Sequence, residues 1–236
     1  AVLPENFAVF AADPQSRIAQ AEDDGNGPVQ DAVAELARQT GMWVVAGTLA
    51  LKSTDPSRPV AACCVYDAAG ERRGRYDKIH LFDVRIPQGD ESYSESVFTQ
   101  AGSQPLVIAT PWGKVGIAVC YDLRFPEQFR VMAASGLDLL LLPAAFTVPT
   151  GRAHWEVLLR ARAIENLCYV AAAAQTGQHP GGRATFGHSL IVDPWGQIVA
   201  DAGEAVGIAG GDRWALAAYW SRLGNSCSDS PGPWSC

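Results

Sequence analysis

The chain has 236 residues, 48% of them hydrophobic and 18% charged, with a formal net charge of −7. That length and apolar fraction fit one globular α/β domain with a substantial core. The acidic balance and the lack of any Lys/Arg run exclude a surface built to track a nucleic-acid backbone, and no apolar run reaches the roughly 18–20 residues needed to span a bilayer.

In chain order, Val2-Leu3 reads as the end of a strand. Pro28 to Thr40 reads as a helix: Pro28 suits a first helical position, Val29, Val33, Leu36 and Ala37 share one face, and Gly41 stops it. Met42 to Leu51 is apolar and rich in β-branched residues, hence a strand. Val60–Tyr66 and Glu71–Tyr76 flank Asp67-Ala68-Ala69-Gly70 as a hairpin. Leu106–Thr110 and Lys114–Cys120 flank the turn Pro111-Trp112-Gly113. A short helix over Pro126–Ser135 leads to the apolar strand Leu137–Pro143. A helix over Gly151–Asn166 buries Trp155, Leu158, Leu159 and Ala163. Cys168–Gln175 is a strand, and Leu190–Val192 with Gln197–Ala200 forms a last hairpin. Hairpins mixed with helix crossovers predict sheets covered by helices. From Gly207 onward Gly, Ser and Trp dominate, and Asp229–Cys236 reads as disordered.

Six cysteines are present, with no CxxC pair, and the four histidines are scattered, so no zinc or redox motif is supported. Adjacent Cys63 and Cys64 point to opposite faces of a strand, and with Cys168 read as buried apolar filler. Cys120 differs. It closes the apolar run Val115-Gly116-Ile117-Ala118-Val119 and precedes a helix. A thiol at a strand-to-helix turn is exposed at a sheet edge, in the geometry of a nucleophile elbow, although a buried structural cysteine is the commoner case. A cysteine nucleophile needs a base and an oxyanion site. No histidine sits at a comparable strand end. Glu5, straight after Leu3-Pro4, stands where α/β sheets place reactive groups, or is a solvated loop acid. Lys78 is hemmed in by aromatic and aliphatic neighbours, or is plain surface charge.

Three segments together resemble the nitrilase superfamily of carbon-nitrogen hydrolases: Leu3-Pro4-Glu5, Tyr76-Asp77-Lys78-Ile79-His80-Leu81-Phe82-Asp83 and Val119-Cys120-Tyr121-Asp122-Leu123-Arg124-Phe125-Pro126-Glu127. They occur in that family's order with its separations. The resemblance spans about Val2 to Gly207. It implies a four-layer α-β-β-α sandwich, a homodimer, a small-molecule amide substrate and no cofactor or metal. It assigns Glu5 as base, Lys78 as oxyanion stabiliser and Cys120 as nucleophile. The Tyr121 backbone N–H becomes a second oxyanion donor, and Glu95, rather than nearby Glu91, orients the lysine. Glu127 is structural. The run from Ala144 to Asn166, with Gly187-His188-Ser189 and Val192-Asp193-Pro194-Trp195-Gly196, looks most like the deaminated glutathione amidase branch.

That branch implies hydrolysis to 2-oxoglutarate and cysteinylglycine through a thioester, a metabolite-repair role. ω-Amidase action on 2-oxoglutaramate is the alternative, and a catalytically inactive scaffold is the alternative of another class. Phe146, Thr147, Arg124 and Arg183 are the candidate substrate contacts, while His154 and Trp155 read as packing and loop-ordering residues. With no signal peptide, a cytoplasmic location is expected. Against the family pattern, the usual first β-α unit is absent before Glu5, and Gly210–Cys236 does not resemble the usual C-terminal segment. The expectation is a domain over residues 1–209 that is N-terminally incomplete, an atypical tail over 210–236, and a fragment whose end is read out of frame.

Overall fold

The computed structural model describes residues 1–10, 13–86 and 91–211. The chain enters as an extended segment parallel to β1 (Val44–Leu51): the Leu3 N–H donates to the Val45 carbonyl and the Val45 N–H to the Ala1 carbonyl, each at 2.9 Å. Between them lie α1 (Pro14–Ala19) and α2 (Pro28–Thr40), the latter closed by Gly41 in the left-handed region. β2 (Val60–Tyr66) and β3 (Arg72–Asp77) complete an antiparallel sheet in the order β1-β2-β3. A small hairpin follows, β4 (Asp83–Ile86) with β5 (Glu91–Ser94).

The second sheet begins with β6 (Leu106–Thr110) antiparallel to β7 (Gly113–Ile117). α3 (Pro126–Ala133) crosses to β8 (Leu139–Ala144), and α4 (Val148–Asn166) crosses to β9 (Tyr169–Ala174), so β7, β8 and β9 run parallel. β10 (Thr176–Gln178) and β11 (Ala184–Phe186) form a separate hairpin. β12 (Leu190–Val192) and β13 (Ile198–Asp201) return antiparallel, giving the mixed order β13-β12-β9-β8-β7-β6.

Alternating side chains divide the core. Val45, Cys63, Val65 and Tyr76 face inward from the first sheet and pack in one cluster with Ile108, Val115, Ile117 and Leu141 of the second. Val44, Ala46, Cys64 and Tyr66 face outward onto Val33 and Ala37 of α2. Phe129 and Met132 of α3 and Trp155, Leu159 and Ala163 of α4 join the larger cluster with Leu140 and Leu142. β2 is therefore buried along its whole length, which is why its sequence is apolar at both parities. Cys63 and Cys64 fall in different clusters, as their adjacency requires. Among the described residues, no helix is long and apolar enough to cross a membrane.

Three differences from the sequence expectation have physical causes. β7 stops at Ile117, short of Cys120, because the Asp122 carboxylate takes the Val119 N–H at 2.8 Å and turns the chain. α4 begins at Val148, one turn before Gly151, with Pro149 in its first turn, where a missing N–H is harmless. Gly151 is tolerated inside α4 because a Cβ there would lie 2.2 Å from the Phe186 ring. α1 and the hairpins β4–β5 and β10–β11 escaped notice because elements this short carry little periodicity. The stretch expected to be disordered, Asp229–Cys236, lies outside the described residues, as do Cys227 and nearly all of the 210–236 tail.

Candidate active site

Glu5 is carried by a turn at the mouth of the first sheet. Asn6 adopts φ +56, a left-handed conformation that asparagine tolerates, and its N–H is held by Thr48 Oγ1 at 2.9 Å. The Gln175 side-chain amide donates to the Glu5 carbonyl at 3.0 Å, which fixes the turn against the far end of β9. Opposite it, Gly47 has φ +27, and a Cβ there would fall 1.9 Å from the Pro4 carbonyl oxygen. Only glycine lets the Leu3-Pro4-Glu5 segment lie this close to β1.

Lys78 follows directly after β3. Its Nζ donates to Glu5 Oε1 at 2.8 Å and to Glu95 Oε2 at 2.9 Å, with the lysine side chain 2% exposed. Glu95 is aimed by the end of the β4–β5 hairpin and accepts the Phe82 N–H at 2.8 Å with the same oxygen. Cys120 opens a 3-10 turn (Cys120–Arg124) with φ +49, an uncommon conformation for a non-glycine residue and a strained one. Its thiol lies near enough to Glu5, Lys78 and the Ala145 backbone for each to act on its ionisation. Three distant stretches of chain thus place sulfur, carboxylate and ammonium in one cavity, all buried.

The charges follow from that packing. Burial by itself pushes the Glu5 carboxyl up, but the Lys78 ammonium beside it and the bonds from Lys78 and Cys120 outweigh burial and hold it below its ordinary value. Burial likewise disfavours a charged Lys78, yet Glu5 and Glu95 hold its pKa well above the usual lysine range. Burial, and then the Glu5 charge, push the Cys120 thiol well up, against the opposing pull of Lys78. The resting cluster is therefore carboxylate, ammonium and neutral thiol. Burial raises the other free thiols too, Cys64 to about 11 and Cys168 to about 12, but neither has an acid–lysine pair beside it.

These groups open into a cavity of about 850 Å³. Tyr121, Phe146, Thr147, Glu95 and Arg183 line it together with Glu5, Lys78 and Cys120. Arg124 is not among the lining residues: its guanidinium lies 5.6 Å from the Phe146 ring centroid and 5.9 Å from that of Tyr121, and bonds His154 Nδ1 at 3.3 Å. Trp155 is wholly buried beneath Phe146 and donates its indole N–H to the His188 carbonyl at 2.7 Å. Glu127 is exposed in the first turn of α3, where a negative charge suits the helix dipole. Among the described residues, no three His, Cys, Asp or Glu side chains converge as a metal site would need.

Sequence reasoning gave no role to Asp122, although it lies in the cysteine segment. Its carboxylate is fully buried and accepts from the Val119 N–H at 2.8 Å, the Tyr76 hydroxyl at 2.6 Å and the His80 N–H at 3.0 Å, with His80 Nδ1 at 2.8 Å. Tyr76 in turn accepts from the Gln128 amide at 2.9 Å. The turn bearing Cys120 and the segment bearing Lys78 are thereby locked to one another. A single acid inside an apolar run was the only signal available.

A mixed-sheet α/β body that gathers a thiol, a carboxylate and an ammonium in one cavity belongs to the class of amide-cleaving α/β enzymes. More particularly, the chain belongs to the family described as carbon-nitrogen hydrolase, which it matches over residues 1–211. It is 45% identical over 206 residues to the deaminated glutathione amidase of Yersinia enterocolitica, covering 87% of this chain and 72% of that protein. Its identity to the protein of the same name in Homo sapiens is 44%, over 88% of this chain and 64% of the human one. The crystal structure of the Caenorhabditis elegans NitFhit protein superposes with a TM-score of 0.82 at 40% identity, over 94% of this chain and 54% of that one.

Proposed function

We propose that this chain hydrolyses the amide of deaminated glutathione, giving 2-oxoglutarate and cysteinylglycine, with Cys120 as nucleophile, Glu5 as general base and Lys78 as oxyanion stabiliser. The observation that carries the reading is the Glu5 carboxylate, which bonds Lys78 Nζ at 2.8 Å and shares a cavity with the neighbouring Cys120 thiol. The names of the relatives supply the substrate.

The reaction runs in two halves. Glu5 takes the thiol proton as Sγ forms a bond to the amide carbon, and the carbonyl electrons move onto oxygen. The Lys78 ammonium and the Tyr121 N–H meet that oxyanion; one such donor is worth about 3–4 kcal/mol of barrier. Collapse breaks the C–N bond, and the departing amine takes the proton from Glu5, leaving a thioester on Cys120. Water then surrenders a proton to Glu5 and attacks the thioester carbon. Collapse frees the acid, and the sulfur recovers its proton from Glu5. Because the resting thiol is neutral, base assistance in the first step is essential rather than incidental. Glu95 keeps Lys78 charged and aimed throughout.

In the same reading, α2, the two facing sheets and the α3–α4 layer are the four-layer α-β-β-α sandwich, and two subunits stack as a homodimer, which sedimentation would test. A cytoplasmic setting suits a chain that keeps Cys63, Cys64, Cys120 and Cys168 as free thiols.

The experiment is a turnover comparison of deaminated glutathione with 2-oxoglutaramate, alongside intact-mass detection of an acyl adduct on Cys120. Cys120→Ala should lose both turnover and adduct. Full amide hydrolysis by that variant would end the proposal.

A further inference from the structure

The cavity that holds Cys120 runs well beyond it, toward α1 and the start of α2, and its charged groups are unevenly satisfied. Its acids are all engaged. Glu5 and Glu95 share Lys78, Glu22 caps α2 through the Val29 N–H at 2.6 Å, Asp13 accepts from Ser16, and Asp23 pairs with Lys52 at 3.0 Å. Two arginines lining the same cavity, Arg17 and Arg183, have no acid partner among the described residues, and in each the guanidinium Nε is buried with no hydrogen-bond acceptor.

The two differ in position. Arg183 is held firmly: it donates to the Ala145 carbonyl at 3.0 Å, stacks 5.2 Å from the Phe10 ring centroid and 5.1 Å from that of Tyr93, and its charge acts on Glu5. Arg17, in the last turn of α1, makes no hydrogen bond or ion pair with any described residue. Arg183 is tied to the residue after β8, the strand packed against the Cys120 turn, whereas Arg17 stands on α1. A desolvated guanidinium donor left without an acceptor is costly, so a site that keeps one is incomplete until a ligand arrives. The planar fork of arginine matches a carboxylate in particular.

We propose that Arg17 anchors a carboxylate on the leaving-group side of the substrate, which makes the outer cavity a subsite for the C-terminus of a dipeptide amine. The inference rests on the function proposed above. The glycine carboxylate of deaminated glutathione ends a two-residue arm that extends up to roughly 7 Å from the scissile nitrogen. A cavity of about 850 Å³ has room for that arm as well as the acyl group. Arg183, whose charge acts on Glu5, is left to the carboxylate of the acyl portion. An amide whose leaving group is ammonia has nothing to offer Arg17, so this arginine selects for the longer substrate.

The test compares deaminated glutathione with its C-terminal glycinamide analogue, which lacks only the charge Arg17 would meet. The wild-type chain should favour the free acid in kcat/KM by roughly 10- to 100-fold, the range of a hydrogen-bonded charge. In Arg17→Ala that preference should fall toward one. A wild-type chain that cleaves acid and amide equally well, or a variant that keeps the preference, overturns the subsite while leaving the amidase reading intact. Cleavage of neither compound by the wild type overturns the amidase reading, and the subsite with it. Should Arg17→Ala fail to fold, the wild-type comparison still decides.

Discussion

The Tyr76 hydroxyl donates to Asp122 Oδ2 at 2.6 Å, and this one bond joins the strand leading to Lys78 to the turn bearing Cys120. Neither residue touches the cavity. Both act by holding lysine and sulfur in register. Asp122→Asn keeps the volume but replaces one acceptor oxygen with a donor that faces N–H and O–H groups. It should lower kcat by about 100-fold, the usual result of a misplacement near 1 Å, and destabilise the chain by about 2–3 kcal/mol. Tyr76→Phe should cost about 1–2 kcal/mol. Urea unfolding with steady-state kinetics on both single variants and the double variant measures this. Strictly additive effects would show that the two residues do not work through each other.

Gly47 is the backbone counterpart of that lock. With its absent Cβ only 1.9 Å from the Pro4 carbonyl oxygen, Gly47→Ala must push the Leu3-Pro4-Glu5 segment off β1. The expected result is a drop in kcat of about 100-fold from a displaced Glu5, with Cys120 and Lys78 unchanged in sequence. A crystal structure of the variant should show the Glu5–Lys78 bond lengthened, and wild-type kcat from this variant would contradict the assignment of Glu5 as base.

Glu5 also sets the acid limb of the pH profile. Its carboxyl is held below its ordinary value of 4.5, so it remains ionised, and able to accept the thiol proton, until the pH falls through that lowered value. kcat/KM should therefore persist to more acid pH than an unperturbed carboxylate would allow. The stability supplied by the Glu5–Lys78 pair follows the same sign: present above 4.5 and lost as pH falls through the folded-state value. For Lys78 the sign reverses. Its contribution is complete below its ordinary 10.5 and is lost only as pH rises through the raised folded-state value, so neutral to mildly alkaline conditions leave the ammonium intact. Glu5→Gln should remove the acid limb and lower kcat/KM by about 10²–10⁴-fold. It should also destabilise the chain, since Lys78 then keeps only Glu95 as a charged partner.

The sequence by itself determined the elements with strong local signals. α2 runs from Pro28 to Thr40, β2 over Val60–Tyr66 and β6 over Leu106–Thr110, all as the periodicity and the Pro and Gly stops require. It also determined which family the chain joins, because Leu3-Pro4-Glu5 and the lysine and cysteine segments are local strings that survive without a fold. Tertiary structure alone decided what those strings do to one another. Lys78 and Glu5 stand 73 positions apart, and only the pairing of the entering segment, β1, β2 and β3 into one sheet brings them to 2.8 Å. The arginines make the same point. Arg124, beside the cysteine in sequence, is drawn off to His154 and out of the cavity lining, whereas Arg183 and Arg17, distant from it in sequence, line the cavity with buried Nε groups that have no acceptor. Neighbours along a chain share a local conformation, but they share a solvent-excluded space only if the packing directs them to it, and that is where charge, pKa and reactivity are set.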